Sequence, residues 1–537
     1  MAGSPLSYLN IVRDNGDQLD THIHHGELKP VFLSHLSLFT ILPVSALVIP
    51  RRQSTRYVRP LVLVLIFSLA LEAIRYRRAL LGANGYMIGL VVAWWFIWSA
   101  TLLVFHDVER EFLRVERKGR TTVRATSKHS IQNGYAHMNG VIKDTEPKEQ
   151  QYTESLIWQP YPRSLSKRLN WSLGLLFNMR GPEWNWRISS MDPLPPSVKS
   201  QLKSGPPSRY PRGASKVTAS YPGVGTRIRT VAFDCLKYYL LLDVIKVLMM
   251  HDLYFWGVTS PPPPPPFPLN QILPHGAVYM YRVLMTALGV YAAVSFVTFF
   301  NPLIFLGLSR LFPNASRRIT AAPLDASWLY SDMFGPFLVP VLDHGLAGAW
   351  GIWWHQLFRF GFTSTAHWIL SLLPNRLANN SRFRRLVITF VAFALSGFIH
   401  ACGSYTQWSD TKPLSGTFLF FILQFVGVTI QEFVSHVVVA VLLYQYTGKA
   451  GKTRLPRWLR RSANAGFVFG WLWLTAGLIM DDFAKGGLWL TEPLPVSPLR
   501  GLGFGYGVEG EGWWCWKTPW FRYWDGGSYW ERGIRVL

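Results

Sequence analysis

The chain has 537 residues, of which 49% are hydrophobic and only 16% are charged. Soluble domains typically carry about 25% charged residues, so this composition excludes an ordinary soluble protein. The net charge is +24, from 54 Lys and Arg against 30 Asp and Glu. Apolar runs alternate with the basic loops, unlike the polar basic face of a nucleic-acid-binding protein. Three cysteines, Cys235, Cys402 and Cys515, are too widely spaced for a zinc module or disulfide framework. We therefore predict a polytopic membrane protein.

Apolar runs of about 20 residues, long enough to cross a bilayer, recur along the chain. The predicted spans are 31–50, 61–82, 85–105, 228–250, 276–300, 385–403, 416–444 and 464–482. Two further apolar regions, 333–373 and 501–520, are interrupted by residues such as Gly and Pro and are expected to be re-entrant or interfacial. The pattern predicts an all-α membrane helical bundle with about eight to ten transmembrane helices.

Positive charges beside the predicted spans indicate the orientation of the chain, because Lys and Arg resist translocation. Basic clusters at 51–59, 382–385 and 449–461 predict cytosolic loops. The predicted divisions are a lumenal N-terminus at 1–30, three membrane spans within 31–105, a basic cytosolic loop at 106–227, a core membrane bundle at 228–482 and an aromatic C-terminal segment at 483–537.

Ionisable side chains inside the predicted spans are expensive to bury and are therefore functional candidates. They are His35, Asp243, Lys246, Arg282, His400, Glu432 and His436. Asp243 and Lys246 lie three residues apart on one helical face, which predicts a structural ion pair. Glu432 and His436 lie four residues apart and are either a mutually satisfied pair or an acid/base couple.

His400 differs from the other candidates because its own predicted span offers no charged partner. Ser396 and Gly397 leave the same helical face small enough to border a cavity or admit another helix. A histidine bonded to a backbone carbonyl is the alternative interpretation. Histidine boxes, a Walker loop and a GxSxG elbow are all absent from the sequence, so a metal-free base is the chemistry that remains.

Two aromatic and basic segments accompany His400. The first, 349–359, suits either a membrane interface or the edge of a site around His400. The second, 178–187, lies in the predicted cytosolic loop. It could bind a phosphate-bearing nucleotide through Arg contacts and ring stacking, or it could lie on anionic lipid.

These segments together resemble the wax-synthase-like branch of the membrane-bound O-acyltransferase family. Three stretches carry the resemblance, namely Trp350-Gly351-x-x-Trp354-His355-Gln356-x-x-Arg359, Ser396-Gly397-x-x-His400 and Asn178-x-Arg180-Gly181-x-x-Trp184-Asn185-Trp186. The first is similar to the FWGRRWHQ-x-x-R signature of the branch, the second to the superfamily's downstream histidine motif, and the third to an element common in fungal members. The first stretch lacks the leading Phe and both arginines of the signature.

The resemblance implies a helical bundle around a chamber that opens to the cytosol for acyl-CoA and to the membrane for the acceptor. It implies that His400 is the family's chamber histidine and that His355 is its second active-site position. Because imidazole is suited to removing a hydroxyl proton, we expect His400 to act as the general base and His355 to position the thioester or stabilise an oxyanion. The residues it suggests for binding substrate or CoA are Trp354, Gln356, Arg359, Ser396, Arg180, Trp184 and Trp186. Acyl-CoA is then a co-substrate, with no bound cofactor or metal, and the endoplasmic reticulum is the expected membrane.

Fungal members that resemble this chain often move acetyl from acetyl-CoA to hydroxyls of terpenoid or meroterpenoid secondary metabolites. The element at 178–186 favours that group, and a wax synthase that acylates long-chain alcohols is the alternative. A proton-coupled transporter that uses His400, Glu432 and Asp243 is the alternative from another class, although the sequence has none of the paired repeats that transporters commonly show. The expected partners are a lipophilic alcohol, acyl-CoA and the lipid bilayer, without nucleic acid.

Overall fold

A computed structural model describes residues 7–118, 155–202, 221–264, 274–435 and 456–537. Helices dominate these residues and the strands are short, which confirms the predicted all-α membrane fold. The helices of the first part are α1 (Tyr8–His24), α2 (Leu33–Val48), α3 (Val58–Tyr76), α4 (Tyr86–Ala100) with a π-helical extension at Thr101–Phe105, α5 (Val108–Glu111), α6 (Leu165–Leu176) and α7 (Pro196–Gln201).

The second part of the chain holds the longer helices. They are α8 (Val224–Met250), α9 (His275–Leu311), α10 (Pro313–Ile319), α11 (Leu338–Gly348), α12 (Arg359–Ser371), α13 (Asn375–Ala378), α14 (Ser381–Thr406), α15 (Leu419–Phe433), α16 (Arg457–Thr475), α17 (Gly477–Lys485) and α18 (Pro498–Gly501). Among the described residues, π-helical turns occur at Ala349–Trp353 and Pro413–Phe418. Short 3₁₀ turns occur at Leu253–Trp256, Ser327–Leu329, Leu488–Leu490 and Tyr529–Glu531.

The strands form two small sheets. They are β1 (Lys29–Phe32), β2 (Arg77–Arg78), β3 (Arg114–Arg117), β4 (Leu156–Gln159), β5 (Phe521–Trp524) and β6 (Gly533–Val536). One sheet has the order β2-β1-β6-β5, with β1 and β2 parallel and the other pairs antiparallel. The other sheet pairs β3 with β4. The first sheet therefore joins the C-terminal segment to the start of the first helices.

Four helical segments are long and apolar enough to cross a membrane, namely Tyr86–Phe105, His275–Leu311, Ser381–Thr406 and Pro413–Phe433. The pair α16 and α17, bent by 42° at its junction, raises this number to five among the described residues. Helices also occupy the predicted spans 31–50, 61–82 and 228–250, but they do not meet the same length, hydropathy and charge criteria. The total of eight to ten spans thus stays a prediction. The region 501–520 holds no helix beyond Gly501.

The predicted span 61–82 ends earlier than expected. Helix α3 stops at Tyr76, and Arg77 and Arg78 continue as strand β2. The guanidinium of Arg77 pairs with Glu72 at 2.8 Å, while Arg78 donates to the carbonyl of Ile74 at 2.9 Å. These two arginines therefore lie past the end of the helix, where their charges are satisfied locally.

Helix α4 occupies the interior of the molecule, and its tryptophans anchor the largest hydrophobic core. Trp94 and Trp98 are both buried and stack on each other, with ring centroids 5.7 Å apart. The indole nitrogen of Trp98 donates to the carbonyl of Leu176 at 2.8 Å, which ties α6 to α4. Helix α9, by contrast, exposes apolar side chains such as Leu284 and Val297, as expected for a helix that faces lipid.

Helices α4 and α14 cross so closely that only glycine fits at their contact. A Cβ atom on Gly89 would lie 1.9 Å from the carbonyl oxygen of Cys402, and one on Gly85 would lie 2.6 Å from that of Thr406. The hydroxyl of Thr406 accepts from the backbone nitrogen of Gly89 at 2.9 Å and donates to the carbonyl of Gly85 at 3.0 Å. Small residues and an interhelical hydrogen bond thus set the spacing of the two helices.

Candidate active site

A cavity of about 1000 Å³ lies among α11, α12, α14, α15 and α16. It brings His355 and His400 into one site, although they are 45 positions apart in the sequence. Predicted site residues that also line it are Trp354, Gln356, Arg359 and Ser396. The motifs at 350–359 and 396–400 therefore meet around one cavity.

His400 lies on α14 at the inner end of this cavity. Its Nδ1 is 2.5 Å from the hydroxyl of Tyr86, and its ring stacks on Phe421 with centroids 4.7 Å apart. The partner of His400 is thus a tyrosine hydroxyl from α4, and not the backbone carbonyl of the alternative interpretation. Sequence reasoning missed Tyr86 because it lies 314 positions away and its own predicted span offers no sign of the contact.

Ser396 and Gly397 have the roles that a small helical face predicts. Ser396 lines the cavity. A Cβ atom on Gly397 would lie 2.9 Å from the ring of Phe418, so this glycine admits the turn that precedes α15. The small face of α14 therefore borders the cavity at one residue and a neighbouring helix at the next.

His355 lies in the short segment between the π-helical turn at Ala349–Trp353 and α12. Its Nδ1 is buried and has no hydrogen-bond partner among the described residues. The side-chain nitrogen of Gln356 donates to the carbonyls of Trp350 at 2.9 Å and Trp354 at 2.6 Å, and Arg359 donates to that of Gly351 at 2.8 Å. Gln356 and Arg359 thus stabilise the backbone of this segment through hydrogen bonds. His355 takes no part in these bonds.

A buried amide network fixes the wall of the cavity between α11, α15 and α16. Gln431 accepts from the backbone nitrogen of Leu346 at 2.9 Å and donates to Asn464 at 3.0 Å. Asn464 donates in turn to the carbonyl of Leu342 at 2.9 Å. At the kink of α11, Gly345 has φ of 61°, and a Cβ there would lie 2.0 Å from the amide of Gln431. Buried polar groups satisfied in this way specify one arrangement of the three helices.

The outer end of the cavity is charged. Arg385 pairs with Glu432 at 3.1 Å, and their side chains are 70% and 47% exposed. Asp343 accepts from Arg461 at 2.7 Å and lies 3.6 Å from Arg460. Glu432 therefore has an arginine partner within the described residues, whereas His436, its predicted partner, lies outside them.

The segment 178–187 has a different role from the predicted stacking surface. Trp184 and Trp186 are only 1% and 2% exposed because they pack in the core with the tryptophans of α4, so they are not open to a ligand. Arg180 donates to the backbone carbonyls of Ser331 and Asp332, at 3.2 and 2.9 Å. Burial, followed by repulsion from Arg187, lowers the pKa of Arg180 to about 10.

Arg180 borders a second cavity, of about 500 Å³, that is more polar than the first. Its charged lining residues are Arg180, Lys237, Asp192, Asp234 and Asp332. Gln356 lines both cavities, so the second one begins behind the segment that carries His355.

The predicted pair of Asp243 and Lys246 is wrong in its partners. Asp243 accepts from the hydroxyl of Ser497 and, at 2.9 Å, from the backbone nitrogen of Leu499. Lys246 donates to the carbonyls of Trp489 and Thr491, at 2.5 and 3.1 Å. Both residues bind the C-terminal segment to α8 and line neither cavity, so their role is structural.

The two other ionisable candidates also have local partners. Arg282 forms a buried ion pair with Asp252 at 2.8 Å, and His35 accepts from the backbone nitrogen of Phe32 at 3.2 Å. Within the part of the chain that the structure describes, no group of three or more His, Cys, Asp or Glu is arranged to hold a metal ion.

Comparison with known proteins shows that part of the chain is similar to a known family. A profile described as "Membrane bound O-acyl transferase family" matches residues 330–423, which include both histidines of the cavity. The chain is 26% identical over 314 residues to O-Mevalon transferase yanI of Aspergillus niger, which covers 57% of this chain and 60% of the relative. It is 25% identical over 281 residues to O-Mevalon transferase macI of Penicillium terrestre, with coverages of 50% and 54%.

A third relative is named an acetyltransferase. Acetyltransferase fsoF of Humicola fuscoatra is 31% identical over 152 residues, which are 28% of this chain and 34% of the relative. The chain therefore matches little more than half the length of the O-Mevalon transferases and a third of this acetyltransferase. No solved structure matches the chain. Residues 330–423 of this helical membrane protein are thus similar to the membrane-bound O-acyltransferase family.

Proposed function

We propose that this protein is an acyl-CoA-dependent O-acyltransferase that moves an acetyl group to a hydroxyl of a lipophilic acceptor, a terpenoid or meroterpenoid secondary metabolite. The observation that carries the proposal is the single cavity lined by both His355 and His400. The family match and the relatives named as acetyltransferases and O-Mevalon transferases support the reaction class.

His400 acts as the general base in the proposed reaction. The hydroxyl proton of the acceptor passes to the free ring nitrogen of His400 while the oxygen attacks the thioester carbonyl carbon. The carbon–sulfur bond then breaks, and the CoA thiolate takes the proton back from the imidazolium. The products are an ester and CoA, and His400 returns to its neutral form.

His355 stabilises the negative charge that develops on the thioester oxygen. His355 lines the same cavity as His400, so a ring N–H that faces this space would be available to an oxyanion. A donor that is already in place needs no reorganisation during the reaction, which is the basis of oxyanion stabilisation.

The polarity of the cavity suits one apolar and one anionic substrate. Aromatic side chains of Trp350, Trp354 and Phe421 line the part towards His400, where a lipophilic acceptor would lie. Arg385 and Arg460 line the outer end, where they would meet the phosphates of CoA. Since fifteen residues of α14 separate Arg385 from His400, the two ends are roughly 22 Å apart, a separation that an extended pantetheine arm is suited to bridge.

The substrates and location are part of the same proposal. Acetyl-CoA is favoured over a long-chain acyl-CoA because three of the relatives are named acetyltransferases. We place the protein in the membrane of the endoplasmic reticulum, with the basic segment 106–227 in the cytosol. Release of CoA thiol across a series of acyl-CoAs of increasing length would identify the donor, and mass spectrometry of the products would identify the acceptor class.

The deciding experiment compares microsomes that contain the wild type and His400→Ala at equal expression. Loss of the base is expected to reduce acyl transfer by about 10²- to 10⁴-fold. The matched control is His275→Ala, which removes an exposed imidazole at the start of α9. Acyl transfer by His400→Ala at the wild-type rate would remove His400 from the mechanism, and CoA release by neither protein would refute the proposed function.

A further inference from the structure

We propose that Tyr86 is a positioning residue, which holds the imidazole of His400 so that Nε2 is the ring nitrogen that faces the substrate. This inference rests on the proposed function of His400 as a base. Tyr86 itself does not line the cavity and would not touch the substrate, so it would act only through the histidine.

The contact between the two side chains is short and buried. Tyr86 is 4% exposed, and its hydroxyl lies 2.5 Å from Nδ1 of His400. The tyrosine ring also packs in a T-shaped contact with Phe483, with centroids 5.3 Å apart. Because Nδ1 is occupied by this contact, Nε2 is the nitrogen left to reach a molecule in the cavity.

The backbone before Tyr86 is held in an unusual conformation. The four residues of the turn 82–85 all have positive φ, and two of them, Ala83 at 59° and Asn84 at 53°, are not glycine. Such residues adopt this region only when the surrounding structure compensates for the strain. Here the side chain of Asn84 donates to the carbonyl of Gly486 at 2.7 Å, and its backbone nitrogen donates to Thr491 at 3.0 Å.

The close crossing of α4 and α14 fixes the other side of the contact. Gly89 and Gly85 lie against the backbone of α14 just beyond His400, as described above, and Gly403 would place a Cβ 2.9 Å from the carbonyl of Tyr86. Neither helix can slide without a collision between backbones. The turn and the glycine contacts thus fix the distance from the hydroxyl to the imidazole.

The hydrogen bond also decides which tautomer can act as a base. If Nδ1 carries the proton and donates it to the Tyr86 oxygen, Nε2 keeps a lone pair that can accept the hydroxyl proton. After that transfer, Nδ1–H still donates to the same oxygen and stabilises the imidazolium. Without the tyrosine hydroxyl, the ring can turn over and present either nitrogen to the cavity.

The first test is the kinetics of Tyr86→Phe, which keeps the aromatic ring and removes only the hydroxyl. We expect kcat to fall by about 10- to 100-fold, since a buried N–H loses its acceptor, with the KM of both substrates unchanged. The control is Tyr254→Phe, which removes a buried hydroxyl that bonds to Asp481 outside both cavities and should leave kcat unaltered. A kcat of Tyr86→Phe within twofold of the wild type would overturn the inference.

The second test does not depend on acyl transfer. Diethyl pyrocarbonate carbethoxylates an unprotonated imidazole nitrogen, and the Nδ1 and Nε2 products at His400 can be separated as peptide isomers before mass spectrometry. The wild type and Tyr254→Phe should give the Nε2 isomer alone, and Tyr86→Phe should give both. Two isomers in the wild type would overturn the inference whatever the enzyme does, while one isomer together with no CoA release would refute only the proposed function.

Discussion

At the inner end of the cavity, His400 is held by the hydroxyl of a buried tyrosine and by a backbone crossing that admits only glycine. At the outer end, Arg385 and Glu432 meet as exposed side chains, 3.1 Å apart. At the end where the chemistry is proposed, close backbone contacts thus set the position of the histidine. At the end where CoA is proposed to enter, the charges are on exposed side chains. From this difference we expect that substitutions at the inner end alter folding and kcat, whereas substitutions at the outer end alter the KM for acyl-CoA.

The largest effect is expected from Gly89→Ala at the inner end. The new Cβ would lie 1.9 Å from the carbonyl oxygen of Cys402, and no side-chain rotation can relieve a collision with backbone. Overpacking typically costs about 1–3 kcal/mol and can cost more, so we expect the upper end of that range or beyond. Thermal melting in detergent and total acyl transfer would both report the loss.

The matched control for that substitution is Gly470→Ala in α16. A Cβ there meets no atom within 4 Å, so the change should be neutral or raise stability by about 0.5–1 kcal/mol, because alanine is the better helix former. Equal melting temperatures for the two variants would show that the α4–α14 crossing is not rigid.

The next effect is expected at His355. His355→Ala should lower kcat by about 10²- to 10³-fold, as removal of one oxyanion donor does. His355→Asn should recover part of this loss because its amide also offers an N–H donor. Steady-state rates at saturating acyl-CoA would measure both variants. An Asn variant no better than the Ala variant would indicate that the role of His355 is not hydrogen-bond donation.

A smaller effect is expected at the outer end. Arg385→Ala should raise the KM for acyl-CoA by about two- to fivefold, in keeping with the strength of an exposed charge interaction, and should leave kcat unchanged. The difference should shrink at high salt because exposed charges are screened. Arg382→Ala removes another exposed charge from the same helix but outside the cavity lining, and the KM for acyl-CoA of this variant should stay at the wild-type value. A loss of kcat in Arg385→Ala would break the distinction between the two ends.

The smallest effect is expected from Glu432→Gln. This substitution releases Arg385 from its ion pair and removes a negative charge from the CoA side of the cavity. The KM for acyl-CoA should fall by less than about twofold, since exposed pairs contribute little. Titration with acyl-CoA at low salt would detect the change, and a rise in KM would contradict it.

The site could be predicted from sequence where its signals are local. The motifs around His355 and His400 each lie within a single short segment, and both histidines line one cavity. Tyr86 could not be predicted in the same way, since its contact with His400 depends on how α4 crosses α14. Short sequence motifs thus indicate residues that line the cavity. They do not indicate residues such as Tyr86, which contact those residues from a distant part of the chain.

The predictions for Asp243, Lys246, Trp184 and Trp186 failed because the partners of these residues are also distant in the sequence. Asp243 and Lys246 have the spacing of an ion pair, but residues at 489–499 from the C-terminal segment satisfy them separately. Trp184 and Trp186 lie in a basic segment whose sequence predicts a ligand-binding surface, yet their rings pack in the core around α4. Composition gives the helical membrane class and the approximate positions of the helices, but it does not reveal which distant segment will cover a polar or aromatic side chain.

The anchoring of the turn at 82–85 has a consequence for the order in which the protein matures. The bonds that hold Asn84 come from Gly486 and Thr491, about four hundred residues later in the chain. During synthesis the ribosome delivers the first helices long before those partners exist. Helix α4 can enter the membrane early, but Tyr86 reaches its final place only when the C-terminal segment arrives. Any activity that depends on Tyr86 is therefore expected to appear only after residues 486–491 have been made.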